Sequence, residues 1–505
     1  MNKKIIILGG GSAGWITALF LKEMFPNNEI TVVEDPSTPP IVAGESGSAQ
    51  FNKLLNFLGI NFDDWVVRVN AMPKLGGKLT NWNGVGTSFI HGLIPSWYST
   101  RYNAEFPSFG LTSIDFMSSA VALDIPVENI FYAASLQHNN KLPITPFSQD
   151  PRQKFNVLSM PMWHFDSRAN AAFMKEKGLE KGIKLIEGKY QRSIRNTNEN
   201  IDAIVLEDQR QLNADWFFDC SGFARLLLKK EMKVEEVDLS NYFPASSVIA
   251  WWDDEPEIKN YTGLNAMKYG WCWNINLQHR AGNGYIYDDS HISKDQAFEE
   301  IEKTYGKKIK PVANLKFTPS LLKEGWRNNV VAIGLSTGFL EPLESNGLSS
   351  IAEQLKAVEY FWNPSSEGGW ARDCYNKYNW EVMTDICDFL CLHYRGHRND
   401  TEFWRDHNTN PARMSDNLRA RLDGAQQGVL GIDDTKGYAI ENYIIVLQGL
   451  DLINKEKLKN NLLSKRASIF DDFNRHYTVL SKEIAQINEI CYTTEQWKEL
   501  MYGKS

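Results

Sequence analysis

The chain has 505 residues, 43% of them hydrophobic and 23% charged, which is the balance of an ordinary globular protein with a large core. Its 54 basic residues against 62 acidic ones leave a net charge of −8, which argues against a nucleic-acid footprint. No run of 18 uninterrupted apolar residues exists, and Cys220, Cys272, Cys374, Cys387, Cys391 and Cys491 lack disulfide-scaffold or zinc spacing, so neither a membrane span nor a metal site is expected and a cytoplasmic setting is.

The opening run Lys3-Lys4-Ile5-Ile6-Ile7-Leu8 superficially imitates a signal peptide, but Gly9-Gly10-Gly11 interrupts it and no small-residue cleavage site follows. The pattern instead predicts a strand at Ile5–Leu8, a helix at Gly14–Phe25 and a strand at Glu29–Val33 that ends on Glu34. Between the first strand and the helix lies Gly9-Gly10-Gly11-Ser12-Ala13-Gly14, a G-x-G-x-x-G loop in its proper βαβ context. Its glycines let backbone N–H groups approach a pyrophosphate at the helix N-terminus. Glu34, twenty residues past Gly14, stands where a ribose hydroxyl is accepted. The candidate dinucleotide contacts are therefore Gly9, Gly11, Ser12, Ala13, Gly14 and Glu34.

Farther on, a helix is predicted at Arg168–Glu180, with strands at Lys184–Glu187, Ala203–Leu206 and Trp216–Asp219. The last of these opens onto Cys220-Ser221-Gly222. Another buried strand, Val330–Ile333, opens onto Gly334. Beyond about residue 350 the periodicity turns helical, over 350–363, 377–394 and 440–490, and Cys387 and Cys391 fall i,i+4 on one helix as structural residues. The expected fold is α/β and Rossmann-like. A body over 1–360 would carry nucleotide contacts mainly in 1–50, 155–230 and 325–355, interleaved with a substrate region. A mainly helical part over 361–505 would pack over the substrate chamber.

Several ordered motifs add a resemblance. Gly14-Trp15 after the loop, Gly44-Glu45-Ser46, His164-Phe165-Asp166, Asp219-Cys220-Ser221-Gly222, Trp271-Cys272-Trp273-Asn274-Ile275, Gly282-Asn283-Gly284-Tyr285, Gly334-Leu335-Ser336-Thr337-Gly338 and Glu341-Pro342-Leu343-Glu344-Ser345 follow one another in the order of the flavin-dependent tryptophan halogenases. His393-Tyr394 and Asp400-Thr401-Glu402-Phe403-Trp404 fit as well. The chain resembles that family over most of its length, with a flavin monooxygenase-type FAD fold. Two positions depart: Asn276 stands where W-x-W-x-I-P has proline, and Asn346 where a threonine follows the glutamate–serine pair.

The resemblance implies FAD, used as FADH2 supplied by a separate reductase, together with dioxygen and a halide ion (chloride, bromide or iodide). Hypohalous acid made beside the flavin then meets a separately bound small aromatic substrate. Gly44, Glu45, Ser46, Gly334 and Leu335 join the flavin contacts. Lys74, shortly before the asparagine–tryptophan pair Asn81-Trp82, takes the role of the cation that captures or polarises the oxidant. Burial of its amine would favour that role, whereas an ordinary lysine is a solvated surface group. Lys78 is the nearby competitor, disfavoured by register. Glu344 takes the role of the base that removes the proton on rearomatisation, with Glu341 as its alternative. Backbone N–H groups at Asn346 and Gly347 would face the halide at a helix start. Trp271 and Trp273 are assigned to a barrier between flavin and substrate, and His91 to stacking on the substrate, although core packing explains such residues equally well. The stretch 430–460 matches poorly beyond Leu447-Gln448-Gly449-Leu450, so an indole or another electron-rich arene is favoured over free tryptophan.

Two rivals remain. A single-component flavin monooxygenase shares the architecture but usually carries an aspartate after the late glycine, where this chain has Leu335, and has no use for W-x-W-x-I. A non-catalytic flavin-binding protein has no reason to keep both Lys74 and Glu344. Nucleic acid and membrane partners are not expected, and a homo-oligomer is left open.

Overall fold

The computed structural model describes residues 2–38, 45–94, 111–146, 156–365, 368–431 and 435–503. The chain forms two compact units, each assembled from three segments. The first comprises Met1–Ala71, Phe165–Ser240 and Thr318–Thr384; the second comprises Met72–His164, Asn241–Phe317 and Asp385–Ser505.

The first unit is built on a six-stranded sheet ordered Lys184–Glu187, Glu29–Glu34, Lys4–Leu8, Trp216–Asp219, Val330–Ala332 and Trp326–Arg327. Every neighbouring pair is parallel except the last, which is antiparallel. Parallel strands buried on both faces need near-continuous apolar runs, and Ile5, Ile7, Val32, Val33, Phe217, Phe218, Val330 and Val331 supply them with almost no exposure. The crossover from Lys4–Leu8 to Glu29–Glu34 is the helix Ser12–Met24. The helix Ser167–Glu180 starts at Asp166, whose carboxylate accepts from the Arg168 and Ala169 N–H groups at 2.9 and 3.0 Å.

The strands expected in this unit and the helices at Gly14–Phe25 and Arg168–Glu180 are present within a residue or two of their predicted ends, whereas the helix expected over 350–363 is Asn346–Phe361, four residues earlier at its start. The third segment of this unit, Thr318–Thr384, runs across residue 360. Val330–Ala332 pairs with Trp216–Asp219, which ties the third segment, through Thr384, to the first unit.

The second unit is built on a seven-stranded sheet ordered Pro311–Lys316, Ser247–Asp253, Ala281–Tyr287, Gly270–Asn276, Thr262–Met267, Gly76–Thr80 and Ser88–Gly92. Only the pair Thr262–Met267 with Gly76–Thr80 is parallel. A short strand, Met72–Lys74, pairs antiparallel with Met162–His164. The expected helical run over 440–490 is three helices, Ile440–Gly449, Lys455–Lys465 and Ile469–Ile490. Asp451, in the left-handed region at φ 53°, ends the first, and the Asn454 side chain caps the second. Cys387 and Cys391 are buried on the helix Trp370–His393, as expected. No helix among the described residues is long and apolar enough to cross a membrane.

Candidate functional site

In the first unit the glycine loop makes a cradle that side chains would fill. Gly9 has φ +123°, and a Cβ there would lie 2.2 Å from the Cys220 carbonyl oxygen; a Cβ on Gly14 would lie 1.8 Å from the Gly9 oxygen. Above Gly11 no described residue comes within 4 Å of where a Cβ would sit. Gly11 is the N-cap of the helix Ser12–Met24, whose first turn has no acidic residue and no side-chain cap. Its leading N–H groups and dipole therefore present a site for a phosphate.

The Glu34 side chain reaches back to this loop, and its Oε2 would lie 2.5 Å from a Cβ on Gly10. Lys175 holds that carboxylate at 3.0 and 3.1 Å, a partner the sequence did not reveal. A carboxylate retains lone pairs for a ribose hydroxyl after such an ion pair. The residues present thus fit the dinucleotide part of FAD.

The turn after Val330–Ala332 is tightly pinned. Gln354 accepts from the Gly334 N–H at 2.6 Å and donates to the Thr337 hydroxyl at 2.7 Å, while the Arg225 guanidinium donates to the Leu335 carbonyl at 3.3 Å. Glu45 and Ser46 are buried, and the Glu45 carbonyl accepts from the Phe165 N–H. Gly44 lies outside the described residues.

Glu344 and Ser345 both hold left-handed backbone, at φ 62° and 58°, immediately before the helix Asn346–Phe361. Two consecutive non-glycine residues in that region carry strain, which concentrates at functional sites. Glu344 is half-buried, whereas Glu341 is wholly buried, so the former is the carboxylate with access to solvent-sized reactants. The helix does begin at Asn346, as expected. The Asn346 side chain, however, is spent on the turn: its amide donates to the Glu341 and Leu343 carbonyls, each at 2.8 Å. What this position offers an anion is its backbone N–H, with that of Gly347, where no described residue lies within 4 Å of the place a Cβ would take.

In the second unit Lys74 is 5% exposed, not a solvated surface lysine. It ends the strand Met72–Lys74, paired so that Lys74 lies opposite Met162. Strand alternation then puts Lys74 and His164 on one face. Lys74 Nζ donates to Thr262 Oγ1 at 3.4 Å, and Thr262 Oγ1 lies 2.7 Å from His164 Nε2. Burial pushes the His164 pKa well below its usual value, and the Lys74 charge pushes the same way; the Asn276 backbone works against both.

Trp271 and Trp273 occupy one face of the strand Gly270–Asn276 with ring centroids 6.1 Å apart. Trp271 Nε1 donates to the Tyr394 hydroxyl at 3.0 Å, and its ring meets Trp82 at 6.1 Å. Trp82 donates from Nε1 to the Leu264 carbonyl. Trp273 lies across Gly284 of the neighbouring strand. Asn276, where proline was expected, is 2% exposed and donates to Asn274, which donates to Asn283, which donates to Asp253. His91 is buried, with Nε2 2.9 Å from the Asn442 side-chain oxygen and its ring edge-on to Phe389 at 5.5 Å.

The model of the tryptophan halogenase family matches residues 4–463 of this sequence. The chain belongs to the tryptophan halogenase family. It is a flavin-dependent halogenase, an oxidoreductase.

Among similar family members, the 7-chloro-L-tryptophan 6-halogenase of Kutzneria sp. (strain 744) is 30% identical over 453 residues, covering 83% of this chain and 84% of that one. The tryptophan 7-halogenase of Lentzea aerocolonigenes is 29% identical over 493 residues, covering 89% and 90%. The crystal structure of a tryptophan 6-halogenase from Streptomyces toxytricini superimposes with a TM-score of 0.84 at 23% identity, covering 98% and 99%. At that identity the structural match establishes the halogenase fold.

Thr262 and His164 as neighbours of Lys74, and Lys175 as partner of Glu34, were missed by sequence reasoning. His164 had a signal, its place in the His164-Phe165-Asp166 motif; Thr262 and Lys175 had none.

Proposed function

We propose that this halogenase uses FAD as FADH2 from a separate, diffusing flavin reductase, with dioxygen and a halide, to make hypohalous acid and halogenate a small indole-like arene. The observation that carries this reading is Lys74. A lysine removed from water at the family's motif position and hydrogen-bonded to a threonine is built for chemistry or charge placement, not for solubility. Bound as FADH2, the flavin would give two electrons to dioxygen, the oxidant that takes two more from the halide.

The protein's own residues do the rest. The loop Gly9, Gly11, Ser12, Ala13 and Gly14 holds the pyrophosphate, and Glu34 takes the ribose hydroxyls. Gly44, Glu45, Ser46, Gly334 and Leu335 present backbone to the flavin, while the N–H groups of Asn346 and Gly347 face the halide. Lys74 hydrogen-bonds and polarises the hypohalous acid. Glu344 stabilises the arenium cation and takes its proton. Trp271 and Trp273 form a packed wall that separates the flavin from the arene chamber, and His91 lines that chamber, which the helical residues after 361 help to cover.

The curated relatives are named for tryptophan or chlorotryptophan, so the indole nucleus is the shared chemistry. The weak match over 430–460 favours an indole without the free amino-acid end.

The test supplies FAD, a flavin reductase and NADH with chloride, bromide or iodide and a panel of indoles and phenols. Products carrying the supplied halogen, dependent on the reductase, are expected. Hydroxylated products, or NADH consumption by this chain alone, would point to a single-component monooxygenase instead.

A further inference from the structure

The His164-Phe165-Asp166 motif is only partly explained by folding. Phe165 stacks on Phe51 at 5.4 Å, and Asp166 caps the helix Ser167–Glu180. His164 does neither, and it is wholly buried in the second unit with Nε2 on Thr262. From the geometry we infer that Thr262 and His164 are positioning residues for Lys74: a directed hydrogen-bond chain, Lys74 to Thr262 to His164, fixes one N–H of the amine and so aims the side chain. This rests on Lys74 being the reacting lysine.

Donor counting fixes the first link of the chain, and the proposal sets the second as the hydroxyl donating to the imidazole. A lysine ammonium has donors only, so at Thr262 the hydroxyl oxygen accepts. The single hydroxyl proton is then free to be donated, and the atom 2.7 Å away is His164 Nε2. To accept, the imidazole must be neutral with its proton on Nδ1. A protonated ring would instead place two donors and two cations around one buried hydroxyl. Burial and the Lys74 charge both hold the ring neutral, in agreement with that direction.

The strands supply the rigidity. Lys74 and His164 are fixed by their pairing, and Thr262 opens the strand Thr262–Met267, which runs parallel to Gly76–Thr80. The Leu75 N–H also donates to the Asn260 carbonyl at 2.7 Å, which fastens the lysine loop to the residues preceding Thr262. A flexible four-carbon side chain on rigid strands needs such an anchor to hold one orientation.

Three variants of the full chain, assayed with reductase and the best arene, test this. Thr262→Val keeps the shape and removes the hydroxyl; Thr262→Ser keeps the hydroxyl. A fall of about tenfold to a hundredfold in kcat at unchanged KM is expected for Thr262→Val, as for a lost hydrogen bond to a charged group, with near wild-type kcat for Thr262→Ser. Lys74→Ala is expected to be inactive. If Lys74→Ala is inactive while Thr262→Val keeps its kcat, the positioning chain is wrong and the lysine reading stands. If Thr262→Ser falls as far as Thr262→Val, volume rather than the hydroxyl matters and the chain is again wrong. Retained activity in Lys74→Ala overturns the lysine reading and the chain with it.

Discussion

A carboxylate and an amine dominate at the scale of single residues. Glu344 sits on a left-handed backbone, half-buried, three residues after a carboxylate that is wholly buried. Replacing it with glutamine keeps the shape and removes the base, so a loss of about 10²- to 10⁴-fold in kcat is expected, with flavin affinity unchanged. Steady-state kinetics beside a flavin titration check this; equal loss of flavin binding would make Glu344 structural.

At this scale sequence legibility stops at local spacing. Lys74 could be singled out because its companions Asn81 and Trp82 lie nearby in the chain. Thr262 and His164 lie 188 residues from Lys74 and 98 from Thr262, respectively, and only strand pairing brings them together. Asn346 shows the reverse case. Its place at a helix start was readable, but the spending of its amide on the Glu341 and Leu343 carbonyls was not, because a turn with two left-handed non-glycine residues has no sequence signature.

The same contrast recurs at the scale of elements. The strands of the first unit were legible because burial on both faces forces continuous apolar runs. The strand Ala281–Tyr287 was not. It is buried along its whole length yet reads Ala-Gly-Asn-Gly-Tyr-Ile-Tyr, with two glycines where propensity argues against a strand. Gly284 explains the exception: it lies opposite Trp273, and a Cβ there would come within 2.1 Å of the indole. The glycine makes room for the second of the tandem tryptophans. Gly284→Ala should therefore displace Trp273 and destabilise the fold by about 1–3 kcal/mol, the range for overpacking. A denaturant melt and a near-ultraviolet dichroism change would show it, whereas an unchanged melt would mean the ring moves aside freely. The glycine loop predicts a different outcome. At Gly9 the obstacle is backbone and φ is +123°, so Gly9→Ala should abolish flavin binding outright, as read by retention of flavin on gel filtration.

On the scale of the whole molecule, two compact units are each stitched from three chain segments. Stability as a function of pH belongs here too. His164 and His407 are both fully buried, and burial first, then neighbouring positive charge, holds both pKa values well below 6.5. The unfolded chain protonates these rings near their ordinary value while the folded chain leaves them neutral. Their contribution to stability is therefore complete above 6.5 and is lost as the pH falls below it, by up to about 1.4 kcal/mol per pH unit for each ring. Urea unfolding at about pH 7.5 and about pH 5.5 should show a smaller acid loss in His407→Phe than in wild type; equal losses would contradict the buried, neutral assignment.

The central claim is that making the oxidant and using it are tasks of different residues. Lys74→Ala, measured for reduced-flavin oxidation and for halogenated product in the same reaction, tests it most directly. The account predicts flavin oxidation at the wild-type rate with no halogenated arene. Halogenated product at the wild-type rate would contradict it.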